Sequence, residues 1–165
     1  MTIGELVTRE ALKHQVPFDI IIAMICQESG GDRWAVRYEQ AFFSRYIASK
    51  DRGSLLGFIP RETKCTLMTE KFLRANSFGL MQIMGETARE IGFKGPLLSL
   101  TVPSINVALG CQYFAAKLKQ HGGDIDKALL SWNGGGNRKY PFMVRKWVGS
   151  SFFTDVINTQ MQEGL

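Results

Sequence analysis

Ile20-Ile21-Ile22-Ala23-Met24-Ile25-Cys26-Gln27-Glu28-Ser29-Gly30-Gly31 sets an acid at the end of an apolar run. Pro17 precedes the run, and two glycines that tolerate positive φ stop it, so the segment reads as a helix. On a helix Glu28 stands four residues beyond Met24 and three beyond Ile25, and it shares their stripe. Burial raises a carboxyl's pKa, and the negative end of a helix raises it further. A glutamic acid that keeps its proton near neutral pH can act as a general acid. The same spacing fits a surface Glu in a last helical turn equally well. The rest of the chain has to decide between them.

At 165 residues, 45% hydrophobic and 21% charged, the chain is expected to form one globular domain, residues 1–165. No apolar stretch approaches the roughly 20 residues that span a bilayer, so no stable membrane insertion is expected. Met1-Thr2-Ile3-Gly4-Glu5-Leu6 has none of the features of a signal peptide, so synthesis in the cytoplasm is expected, with other machinery needed for export. Cys26, Cys65 and Cys111 are odd in number and widely spaced, and with His14 and His121 they make no ligand pattern. No metal and no cofactor is expected. Cys26 and Cys111 fall in apolar helical patterns and read as buried thiols. The net charge of +5 favours an anionic partner. The cations are scattered except at Arg138, Lys139, Arg145 and Lys146, which form either a solvated face or a contact for nucleic acid or cell wall. The scatter elsewhere argues against a nucleic-acid binder.

Along the chain the pattern is mostly helical. Residues 3–14 read as an amphipathic helix with Ile3, Leu6, Val7, Ala11 and Leu12 on one side, and the helix carrying Glu28 follows. Residues 34–65, rich in aromatics and then broken by Gly53, Gly57 and Pro60, read as a partly helical insertion over one face. A helix over 66–75 leads into a loop at Ser77–Ile83, and a short helix runs from Gly85 towards Gly92. Thr101-Val102-Pro103-Ser104 opens the longest helix, to about residue 120. Asp124 caps a helix to about Trp132, and Asn133-Gly134-Gly135-Gly136 forces a turn. The last 28 residues read as one or two short helices. The expected fold is mainly α, with a small irregular or short β segment near the site.

Three separated segments then line up: Glu28-Ser29, Gly79-Leu80-Met81-Gln82-Ile83, and Ser131-Trp132-Asn133-Gly134-Gly135. With Pro17-Phe18-Asp19, Thr87-Ala88-Arg89 and the helix Asn106-Val107-Ala108-Leu109-Gly110-Cys111-Gln112-Tyr113-Phe114, this order resembles the lytic transglycosylases of the SLT type. That family shares a lysozyme-like fold with goose-type lysozyme. The resemblance covers residues 17–135. Asp32–Glu39 looks like single-domain phage or proteobacterial members. Two departures stand out. Trp132 replaces the usual Tyr before the Asn, and the later Tyr that the family sets near the acid has no clear counterpart: Tyr140 comes early and Phe152-Phe153 occupies the expected place.

The resemblance implies a peptidoglycan-cleaving enzyme, expected as a monomer, whose partner is the glycan strand. Glu28 is the implied acid, then base, in cleavage of the MurNAc-β-1,4-GlcNAc bond with closure of a 1,6-anhydro ring. Ser29 is expected to hydrogen-bond Glu28 or the N-acetyl group. Ser77, Gly79, Met81, Gln82, Tyr113, Trp132 and Asn133 are the implied substrate contacts. For Met81 a plain core role, for Asn133 a turn role and for Tyr113 a packing role stand equally open. Glu39 and Glu70 are candidates for a second acid that would activate water and make the enzyme a hydrolytic muramidase, although a surface place is the commoner fate of each. A phage endolysin or virion-associated enzyme released through a holin is the expected setting. A non-catalytic wall-binding module is the competing reading.

Overall fold

Every residue from Ile20 to Cys26 is buried, because the helix that carries them (α2, Phe18–Glu28) is walled in by other helices. Each of its large apolar side chains contributes about 1.5–3 kcal/mol on burial. Five of them far outweigh the desolvation of one terminal carboxyl, so the run can hold Glu28 in place. The structure is a computed structural model that describes residues 1–55 and 65–161. The breakers Gly57 and Pro60 lie outside the described residues.

The helix before it (α1, Ile3–His14) starts on a capping box: the Thr2 hydroxyl accepts from Glu5 N, and the Glu5 carboxylate accepts from Thr2 N. It buries Ile3, Leu6, Val7 and Ala11, while Leu12 is 81% exposed. The stripe expected to include Leu12 is therefore narrower, because residue 12 turns away from α2 and from the longest helix. The latter (α6, Pro103–Gln120) packs on the far side of α1.

Between α2 and α6 the described chain forms β1 (Val36–Tyr38), α3 (Gln40–Phe42) running into a π turn at Phe43–Ile47, α4 (Leu67–Arg74), β2 (Asn76–Phe78), β3 (Ile83–Met84), α5 (Gly85–Glu90) and a 3₁₀ turn at Leu97–Thr101. The strands make an antiparallel sheet in the order β1-β2-β3, with Arg37 opposite Ser77 and Ser77 opposite Met84. After α6 come α7 (Ile125–Trp132), capped by the Asp124 carboxylate, then α8 (Tyr140–Arg145) and α9 (Ser151–Asn158). The protein is thus mainly helical with a small three-stranded sheet, a lysozyme-like arrangement, as the sequence leads one to expect. The last strand of chain returns to the first: Thr159 O accepts from Ile3 N at 3.0 Å, and Met161 N donates to Met1 O at 3.1 Å.

A buried ion network links α4 and α5 beside the sheet. Glu70 of α4 accepts from Arg89 of α5 at 2.8 and 3.2 Å and from Arg74 Nε at 3.0 Å. Arg74 also reaches Glu86 at 2.9 Å, which in turn accepts from Lys50 at 3.0 Å. The inserted segment is thereby tied to both helices.

Candidate active site

The candidate site is built where the C-terminus of α2 meets a tight turn between β2 and β3. That turn, Gly79–Gln82, is fixed from four directions. Asn106, fully buried on α6, accepts from Met81 N at 2.8 Å and donates to Phe78 O and Leu100 O, each at 2.8 Å. Gly79 sits at φ +70°, where a Cβ would come within 2.7 Å of the Asn106 amide. At Gly110, one turn further along α6, a Cβ would stand 2.2 Å from Met81 Sδ, so the glycine is the socket into which Met81 packs. Gln82 adopts φ +47°, a costly conformation for a non-glycine. Its own side chain compensates: Nε2 donates to Ala35 O and Gly79 O, each at 3.0 Å, and Oε1 accepts from Ser77 Oγ at 3.0 Å.

Several of the expected substrate contacts also have structural roles here. Met81 is fully buried and serves as core. Ser77 and Gln82 use their side-chain polar groups to fold the turn. The Ser29 hydroxyl donates to Leu80 O at 2.8 Å rather than to Glu28, which fastens the turn to the end of α2. Asn133 is exposed, and its side-chain oxygen accepts from Asn137 N at 3.3 Å, closing the glycine turn.

Glu28 itself is half-buried, and one of its oxygens is held from above. Oε1 accepts from Trp132 Nε1 at 3.2 Å and from the Tyr140 hydroxyl in a short hydrogen bond. Oε2 has no hydrogen-bond partner among the described residues. Burial pushes the Glu28 carboxyl above its ordinary value; the bonds from Tyr140 and Trp132 and the charge of Arg37 offset only part of that rise. Burial and the Glu28 charge raise the Tyr140 hydroxyl well above the ordinary phenol value, so it stays protonated and remains a donor.

Tyr140 corrects the expectation that no tyrosine stands near the acid. The Asn-Gly-Gly-Gly turn is short enough to return α8 directly over α2, whereas Phe152 and Phe153 lie further on, in α9. The indole of Trp132, in the place of a phenol, still offers one N–H. Tyr113 packs against the Trp132 ring at 5.3 Å and carries Lys117 Nζ 4.9 Å from its own ring.

The two candidate second acids part company. Glu70 lies in the buried network. Burial pushes its carboxyl up, but the hydrogen bonds and charges of Arg89 and Arg74 together outweigh that and hold it below the ordinary range. It is neither a surface residue nor free to activate water. Glu39, following β1, is paired with Arg37 Nε and stays partly exposed. All three thiols are free, and burial raises Cys26 to about 11 and, with help from the Glu10 charge, Cys111 to about 12. Among the described residues no three His, Cys, Asp or Glu side chains gather as metal ligands, and no helix is long and apolar enough to cross a membrane.

Asn106, Arg37 and Tyr140 were the residues hardest to find from sequence. The pair Asn106 and Gly110, a polar and a small residue one turn apart on an apolar stripe, was the available signal for the first. A helical body with a three-stranded sheet beside a half-buried glutamic acid defines a lysozyme-like protein. The family model of the transglycosylase SLT domain matches residues 5–155, and the chain belongs to that family, whose members act on peptidoglycan. No curated protein and no solved structure matches the chain.

Proposed function

We propose that Glu28 is the general acid and then the general base of a lytic transglycosylase that cuts the MurNAc-β-1,4-GlcNAc bond. The observation that carries this reading is the asymmetry of the carboxyl. Oε1 is occupied by Tyr140 and Trp132, and Oε2 has no partner among the described residues. Burial raises the pKa of the group and so favours the protonated form that a general acid needs. Glu28 gives that proton to the glycosidic oxygen as the bond to C1 breaks, and the substrate's N-acetyl group stabilises the oxocarbenium-like centre. The resulting carboxylate then takes the proton of the C6 hydroxyl as its oxygen bonds to C1. The 1,6-anhydro ring closes, the acid is regenerated, and no water is consumed. Ser29 and the Gly79–Gln82 turn act by holding the floor of the cleft, while Tyr113, Trp132 and the turn backbone meet the sugar.

A hydrolytic muramidase is the second reading, and Glu39 is the residue that would activate water in it. Mass spectrometry of digested walls separates the two: anhydromuropeptides support the transglycosylase, and reducing ends alone favour the muramidase. The likeness of Asp32–Glu39 to phage and proteobacterial members supports a role as a monomeric endolysin or virion-associated enzyme. Lysis of host cells on co-expression with a holin, and not without one, is the expected result.

A further inference from the structure

We propose that Arg37, oriented by Glu39, docks a carboxylate carried by the muramyl residue of the substrate and so makes the cleft selective for charged glycan strands. The inference rests on the reading of this cleft as the peptidoglycan site. Arg37 is the middle residue of a three-residue strand, paired with Ser77, whose hydroxyl lies 3.4 Å from the Arg37 carbonyl. Its backbone is therefore fixed on the edge of the same turn that floors the site. The side chain is 69% exposed, yet it is not loose, because Nε is held by the Glu39 carboxylate. No other hydrogen bond of the guanidinium is formed among the described residues, so the Nη fork is presented to solvent.

A guanidinium held by its Nε and open at its fork matches the two oxygens of a carboxylate. A neutral sugar has no need of one. The loop joining Trp132 to Tyr140, whose two end residues both donate to Glu28, carries Arg138 and Lys139, both exposed and in no ion pair among the described residues. Two separate segments that meet the acid's surroundings thus carry exposed cations. The carboxylate has two possible sources: the peptide stem, or the free lactyl group of a stem-stripped strand.

The experiment uses the full chain carrying Glu28→Gln, which removes turnover and also removes any effect of Arg37 through the Glu28 charge. Binding by calorimetry is compared for that chain alone and with Arg37→Gln or Arg37→Lys added. The probes are stem-bearing glycan strands, amidase-stripped strands with free lactyl carboxylates, and chitin oligosaccharides with no carboxylate. Arg37→Gln is expected to weaken binding of at least one carboxylate-bearing strand about tenfold to a hundredfold. Affinity for chitin oligosaccharide is expected to stay unchanged, and Arg37→Lys to recover part of the loss. Loss on stem-bearing strands alone assigns the stem, and loss on stripped strands assigns the lactyl group. Equal loss on all three probes, or none, overturns the inference and leaves the catalytic reading standing. Failure of the Glu28→Gln chain to bind any strand overturns both.

Discussion

The carboxyl of Glu28 is pulled in opposite directions by its surroundings, and the two pulls can be measured separately. Glu28→Gln keeps the shape and removes the proton donor, so wall-clearing activity is expected to fall by orders of magnitude while circular dichroism stays native. The folded pKa is raised, so the stability linked to this group is complete below the unfolded carboxyl's pKa and declines as pH climbs through the folded value. Relative to wild type, the Gln variant should therefore gain in melting temperature between pH 5 and pH 8. A marked loss in the variant at pH 8 would make Glu28 an ion-pair partner and end the catalytic assignment. Tyr140→Phe tests the opposing pull. Removing a donor to the carboxylate raises the Glu28 pKa, so the alkaline limb of the activity profile should move to higher pH. The lost hydrogen bond costs about 1 kcal/mol of stability. An unmoved limb would sink the idea that this hydroxyl tunes the acid.

At the scale of elements, two buried sub-assemblies brace the site. Asn106 satisfies one backbone donor and two acceptors, so Asn106→Ala leaves three polar groups unpaired, each worth about 1–3 kcal/mol. A melting temperature within a degree of wild type would refute that account. The network around Glu70 behaves differently with pH. Its folded pKa is lowered, so its contribution is present above the unfolded value and is lost as pH falls through the folded one. Removing one partner of such a buried pair costs about 3–5 kcal/mol, so Glu70→Gln should unfold more easily at pH 7, and the difference from wild type should shrink in acid. Helices with a strong apolar period, α1, α2 and α6, were legible from sequence to within a residue or two. The strands were not, since Val36–Tyr38 and Ile83–Met84 are too short to display alternation. Glu70 was misjudged for a related reason: its partners Arg74 and Arg89 lie on two elements, and a charge reads as solvated until its counter-charges come into view. Tyr140 needed the geometry of a glycine turn, which letters do not carry.

The whole molecule presents a net charge of +5 to a polyanionic wall. Long-range attraction of that kind is screened within about 10 Å at 0.1 M salt, so binding to whole walls should weaken as salt rises, more steeply than binding to a neutral chitin oligosaccharide. Equal salt slopes for the two would assign binding to the cleft alone. The seam between the two ends of the described chain carries a different consequence. Met161 N and Met1 O are a hydrogen bond apart, and Gly4 leaves no room for a Cβ against Ile157. The segments at residues 1–3 and 159–161 are thus hydrogen-bonded side by side. A circular permutant sewn across that seam and cut between Gly122 and Gly123, both exposed, should refold and still clear walls.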